Sequence, residues 1–359
     1  DFGILENLIK KLSKNKFFDL KFLVTGSHFN KDQGYSLREI YKRKINIDKK
    51  LDIKFNSKNM DSIFKFNSKL NYLYFQYLNK LRPDLVIVLG DRYEMLLLTF
   101  CTYLMRIPIA HLHGGETTLG AIDNIYRHQI TLASKYHFVS TNDNMQKVKQ
   151  LIGSSSFIYD VGSLSLSNIE TFKPEDRSVF FKNYGINEAP YVLVTFHPET
   201  VSAENNLVFA KEMKDALTIL CNKINVIITM PNADTLGSIY RKELNKLKVS
   251  NPKRVLLIEN FGKVNYFNAM FYSTLLIGNT SSGIIEAASF NKYVINVGDR
   301  QKGRTHGTNV FNTGFDSVKI IKICNKLINE KKLKMDNIYF KKHTARNIIT
   351  ALKNTQFNG

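Results

Sequence analysis

Six apolar runs in this sequence end on residues able to do chemistry. DLVIVLG (84–90) is followed by Asp91 and Arg92, IPIAHLH (107–113) by Gly114, Gly115 and Glu116, and YVLVTF (191–196) by His197 and Pro198. INVIITM (224–230) leads to Asn232, STLLIG (273–278) to a serine-rich turn, and KYVINVG (292–298) to Asp299 and Arg300. Hydrophobic capping would suit a buried strand as well at each place. Six polar ends together point to a ligand cleft, since open parallel sheets bind beyond the carboxyl ends of their strands.

The turn is the most distinctive of these. Gly278, Asn279, Thr280, Ser281, Ser282 and Gly283 are consecutive, where one glycine suffices to turn a chain. A helix starting near Ser282 would present free amides and the positive end of its dipole, and small side chains would let a diphosphate reach them. Glu286, one turn in, would accept from sugar hydroxyls. A plainer reading stands beside this one, in which Ser281 caps the helix and Glu286 complements its dipole. Arg92 and Arg300 fit both chelation of phosphate and simple surface ion pairs.

In HLHGGE, residues two apart on a strand share a face, so His111 and His113 are expected to point the same way. A metal site with Glu116 is conceivable, but no third imidazole or thiolate follows at ligand spacing, and no metal is assigned. Gly114 and Gly115 allow a tight turn that brings Glu116 against a ligand. AIDNIYRH adds Asp123, Arg127 and His128, of which Asp123 and Arg127 are spaced for either chemistry or an ordinary helix ion pair. His197, in FHPET, is a structural histidine or, if opposite Asp91 and Glu116, an acid, base or phosphate donor.

The elements positioning these residues follow an alternating pattern. Short Val- and Ile-rich runs interleave with helical periodicity, the signature of parallel sheets with crossover helices. Strands are expected over 20–27, 84–90, 107–113, 136–141 and 157–162, then again over 191–196, 224–230, 254–259, 273–278 and 292–298. Helices are expected over 58–80 and 93–105, and a lysine-rich helical pair over 316–355. The looser stretch from Ser163 to Pro190 reads as the junction of an α/β protein with two doubly wound domains, 1–165 and 166–336. The C-terminal helix, 337–359, is expected to return to the first domain. Residues 1–12 already have helical spacing, so a first strand before them is expected to be missing from the sequence.

Composition fits that plan. The 359 residues exceed a single core, and 43% hydrophobic content is ample for folding. No run reaches the ~18 apolar residues of a membrane span. Cys101, Cys221 and Cys324 show no paired spacing, which favours a reducing cytoplasm. The net charge of +20 is spread along the chain with abundant Asn and Ile, so nucleic acid is not the expected partner. Neither GxxxxGK[ST] nor GxGxxG occurs.

Taken in order, GDRYEML (90–96), HLHGGETTLGAIDNIYRH (111–128), FHPET (196–200), PNAD (231–234), IGNTSSGIIEA (277–287) and VGDRQKGR (297–304) resemble the hydrolysing UDP-N-acetylglucosamine 2-epimerases of sialic and related nonulosonic acid synthesis. The resemblance spans most of the chain. It implies a glycosyltransferase-B-like pair of Rossmann-type domains, uridine diphosphate contacts at Arg92, His197, Asn232, Phe261, Thr280, Ser281, Ser282, Glu286 and Arg300, and acid/base residues Asp91, Glu116 and Asp123, with His197 near the leaving group. It also implies a homodimer or homotetramer. The family opens with a strand and a turn ending in Arg that have no counterpart here.

The implied chemistry removes the hydrogen at carbon 2 as diphosphate leaves carbon 1, through a 2-acetamidoglucal, and then adds water with inverted configuration at carbon 2. Amides and arginines can hold the departing charge, so no cofactor is needed. The substrate implied is UDP-N-acetylglucosamine or its 2,4-diacetamido-2,4,6-trideoxy analogue. A glycosyltransferase or non-hydrolysing epimerase of the same fold, or a non-catalytic nucleotide-sugar binding module, are the alternatives.

Overall fold

The computed structural model describes residues 2–29, 37–53, 60–119, 122–231, 235–330 and 334–355. The chain divides into two compact units, one of Asp1–Glu116, Asp123–Ser167 and Lys341–Gly359, the other of Thr117–Ile122 and Asn168–Phe340.

In the first unit, β1 (Leu23–Thr25) pairs in parallel with β2 (Lys49–Leu51). A separate parallel sheet has the order β3 (Val86–Leu89), β4 (Ile109–Leu112), β5 (Tyr136–Val139), β6 (Ile158–Asp160). Alternation along β4 sends its two faces to different helices. Ala110 and Leu112 join the core made with Leu8, Leu12, Ile348 and Leu352, whereas Ile109 joins Leu70, Tyr74, Leu78 and Ile130. Helices therefore cover both faces, as a doubly wound sheet requires. The helix Thr344–Lys353 belongs here because Ala345, Ile348, Ile349 and Leu352 form one buried stripe at helical spacing.

The second unit holds six parallel strands in the order β12 (Val310–Thr313), β11 (Val294–Val297), β10 (Leu276–Gly278), β7 (Tyr191–Thr195), β8 (Asn225–Thr229), β9 (Val255–Ile258). Strand order reverses between β7 and β10, the topological switch point where a Rossmann-type sheet opens a crevice for ligands. Its core is apolar on alternate strand positions, with Val192, Val194, Val226, Ile228, Ile277 and Ile295 packed on Met213, Leu217 and Ile320.

All ten expected strands form. The strand expected over 20–27 is shorter: it ends at Thr25 and the chain turns into a 3-10 helix, Gly26–Phe29, because its partner β2 has only three residues to pair with it. Sequence patterning misses β2 and β12, KKL and VFNT, which are too short and too polar to show a period.

Candidate functional site

In the first unit the centre is Arg127, on the helix Asp123–Ala133 that follows β4. Its guanidinium donates to Glu116 Oε2 at 3.0 Å through one nitrogen and to Asp91 Oδ2 through another. Burial alone would lower its pKa, yet the two carboxylates outweigh this and hold it above the ordinary arginine value. Glu116, 3% exposed, also accepts from Ser140 Oγ at 2.9 Å and has His113 Nδ1 at 3.4 Å. Asp91 keeps a quarter of its side chain open. Gly115, at φ 75°, makes the placement of Glu116 possible, since a Cβ there would strike the Asn144 carbonyl.

The sequence offers Asp123 as a helix partner for Arg127, but the structure gives that guanidinium to Asp91 and Glu116, which approach from two strand tips. Asp123 is an exposed first residue of its helix, and its charge acts on Arg92. Arg92 itself forks onto Glu94, with Nε to Oε2 at 3.2 Å and Nη2 to Oε1 at 3.0 Å. Its surface is 42% open and its partner, Glu94, is buried.

The shared face expected of His111 and His113 is corrected. β4 ends at Leu112, and His113 has φ 64° in the left-handed region, so the strand alternation no longer applies to it. His111 Nε2 lies 2.8 Å from the Gly90 carbonyl and Nδ1 3.1 Å from Thr131 Oγ1, while His113 Nε2 accepts from Leu164 N at 3.2 Å. Both imidazoles therefore brace backbone. Burial lowers the His111 pKa to about 3. Among the described residues no group of three or more His, Cys, Asp or Glu side chains is arranged to hold a metal ion.

In the second unit the tips of β7, β10 and β11 are laced together at the switch point. The Asn279 side chain, fully buried, accepts from His197 N and donates to His197 O, each at 2.8 Å. The Asn279 carbonyl accepts from Arg300 Nη1 at 3.2 Å and from Gln301 Nε2 at 3.0 Å. Glu199, from FHPET, accepts from the amides of Asp299 and Arg300 at 2.6 and 3.2 Å. Burial raises the Glu199 pKa against those amide bonds. The half-buried His197 ring is pulled down to about 4, first by burial and then by the Arg300 cation.

The expected cap, Ser281, is corrected to Thr280. The helix runs over Ser281–Ile285, and Thr280 Oγ1 accepts from Gly283 N at 3.3 Å. Ser281 is exposed and Ser282 half-buried, while Glu286 is buried at the helix C-cap. A small cavity beneath the turn is bordered by Thr195, Tyr266, Gly278, Thr280 and Gly283. Burial raises the Tyr266 hydroxyl there to about 12. The Phe261 ring, 4% exposed, packs on Phe180 and Tyr184 with centroids 6.1 and 4.8 Å away. Asn232 lies outside the described residues.

The segment Thr117–Ile122, between Glu116 and Asp123 in sequence, folds with this second unit. Leu119 N donates to the Lys302 carbonyl at 3.0 Å, and a Cβ on Gly303 would come within 2.9 Å of Thr117 Cγ2. Sequence reading singles out neither Glu94, Ser140, Glu199 nor Gln301. For Glu94, Glu199 and Gln301 the available signal is a carboxylate or amide inside GDRYEML, FHPET and VGDRQKGR, whose partners only the fold supplies; Ser140, at the end of YHFVST, carries no such signal.

Comparison with known proteins agrees with this architecture. The family model for UDP-N-acetylglucosamine 2-epimerase matches residues 10–353. A GDP/UDP-N,N'-diacetylbacillosamine 2-epimerase (hydrolyzing) of Campylobacter jejuni is 33% identical over 86% of this chain and 80% of its own length. The polysialic acid biosynthesis protein P7 of Escherichia coli is 30% identical over 98% of this chain and 91% of its own. The crystal structure of UDP-GlcNAc 2-epimerase from Neisseria meningitidis bound to UDP-GlcNAc has the same fold, with TM-score 0.82 and 18% identity over 98% of this chain and 97% of its own. The chain belongs to the UDP-N-acetylglucosamine 2-epimerase family and is an enzyme of its hydrolysing kind.

Proposed function

We propose that the substrate is a UDP-linked 2,4-diacetamido-2,4,6-trideoxy sugar, converted to UDP and the free manno-configured sugar, with UDP-N-acetylglucosamine as the second reading. The diacetylbacillosamine activity named for the Campylobacter jejuni relative supports the first. The observation carrying the mechanism is the buried Arg127 held between Asp91 and Glu116 at the tips of β3 and β4.

A carboxylate of this set takes the proton from carbon 2, the electrons of that bond form the double bond to carbon 1, and the bond from carbon 1 to the diphosphate oxygen breaks. Asp91, the more open of the pair, is suited to the transfer, and Glu116 and Asp123 complete the acid/base set. Water then adds its oxygen to carbon 1, and a proton returns to the opposite face of carbon 2. UDP departs with three negative charges, two of them on its terminal phosphate, and His197, Arg300, the Thr280–Ser281–Ser282 turn and Arg92 are assigned to hold it. Asn232, Phe261 and Glu286 are assigned to the nucleoside and sugar hydroxyls. Because the Phe261 ring is packed away, its share falls to the backbone. No helix of the described residues is long and apolar enough to cross a membrane, and the three buried thiols are free. We place the enzyme in the cytoplasm, as a homodimer or homotetramer.

The test is incubation in deuterium oxide with UDP-2,4-diacetamido-2,4,6-trideoxyglucose, its GDP analogue and UDP-N-acetylglucosamine, followed by mass spectrometry. Release of UDP with a free sugar labelled at carbon 2 is expected, fastest with the first. A labelled sugar still on the nucleotide would mean a non-hydrolysing epimerase, and unlabelled transfer to an acceptor a glycosyltransferase. Binding of all three nucleotide sugars without turnover would leave only a binding module.

A further inference from the structure

Three segments far apart in sequence meet around one residue, Asn279. Asn279 has no exposed surface, and its amide group spends both ends on the backbone of a single residue, His197, at 2.8 Å each. An amide that merely filled space would have no reason to choose the two main-chain groups of a residue 82 positions away. The Asn279 backbone carbonyl meanwhile accepts from the Arg300 guanidinium and the buried Gln301 side-chain amide. The Arg300 backbone is fixed independently, because Glu199, two residues beyond His197, accepts its N–H at 3.2 Å. The circuit thus runs from His197 to Asn279, from Asn279 to Arg300, and from Arg300 back to Glu199.

We propose that Asn279 is a positioning residue that couples His197 and Arg300 into one diphosphate-holding group, through the His197 backbone and the Arg300 guanidinium. The inference rests on the reading that these two side chains face the departing diphosphate. Without the Asn279 side chain, His197 N and O lose these partners, and the Asn279 backbone, whose carbonyl faces Arg300, keeps its N–H bond to the Thr195 carbonyl but loses its tie to His197. Groups sharing one hydrogen-bond network lose their effects together when the network is cut, whereas independent contacts lose them separately.

The experiment compares Asn279→Ala, Arg300→Ala and the double variant by calorimetric UDP binding, with the His197 ring resonances followed by NMR in ligand-free protein. Each single change is expected to weaken UDP by roughly tenfold or more, with the double variant no more than about threefold worse than the weaker single, since residues of one network are not additive. The His197 resonances should move in Asn279→Ala before any ligand is added. Losses that multiply in the double variant, or unmoved His197 resonances, overturn the inference. If wild-type protein fails to bind UDP while the His197 resonances still move, the diphosphate reading falls and the coupling stands. Should Asn279→Ala fold poorly by circular dichroism, Asn279→Ser, which keeps a short polar side chain, carries the same comparison.

Discussion

The two polar centres are built on opposite electrostatic plans. Around Arg127, a cation lies between Asp91 and Glu116, and the set is bound chiefly by charge. Around Asn279, side-chain amides and backbone groups do most of the holding, Glu199 accepts from the Asp299 and Arg300 amides, and the Arg300 guanidinium donates to a backbone carbonyl. The contrast follows from the tasks proposed. Moving a proton calls for carboxylates whose charge is balanced in place, whereas gripping a diphosphate calls for donors oriented in advance.

The strongest way to break the contrast is to neutralise each carboxylate in turn. Asp91→Asn and Glu116→Gln should lower kcat by about 10²–10⁴-fold, the range for loss of an acid/base group, while UDP affinity stays within a few fold; steady-state kinetics beside calorimetry measures both. Arg127→Leu should cost about 3–5 kcal/mol of stability, because it strands buried Glu116 and leaves Asp91 without its partner. Denaturant unfolding reads that loss, and a cost below about 1 kcal/mol would place the pair among ordinary surface bridges.

Acid should act through the histidines. His28, His137 and His197 are lowered to about 4, and His111 to about 3, with burial the first cause in each. Their folded values lie below the unfolded 6.5, so the unfolded chain binds more protons between these limits and stability must fall as pH drops from 6.5 toward 4. His111→Gln should flatten part of that slope in thermal unfolding followed against pH. A slope unchanged in this variant would mean that His111 titrates freely in the folded state.

The smallest effect is expected at Gly303, at φ 80° against Thr117 and Leu119. Gly303→Ala should cost about 1–2 kcal/mol through left-handed strain and crowding of that segment. A shift in melting temperature of a few degrees, with UDP affinity little changed, would separate this loop's packing from Arg300's role.

Much of the fold was written locally. The β-branched runs at 191–196 and 224–230 and the helical stripe at 344–353 declare themselves because period two and period 3.6 need only neighbouring residues. Lys49–Leu51 and Val310–Thr313 did not, since three or four residues carry no period and their strand character comes from the neighbour they pair with. The same divide runs through the candidate site. The sequence by itself determined which side chains stand at the strand ends, and the ordered motifs that mark the family. Only the tertiary structure decided that Arg127 turns from Asp123 to Asp91 and Glu116, that His113 leaves its strand's alternation, and that Asn279 binds the His197 backbone. A hydrogen-bond partner is chosen by distance in space, and linear spacing fixes that distance only within a single helix or strand.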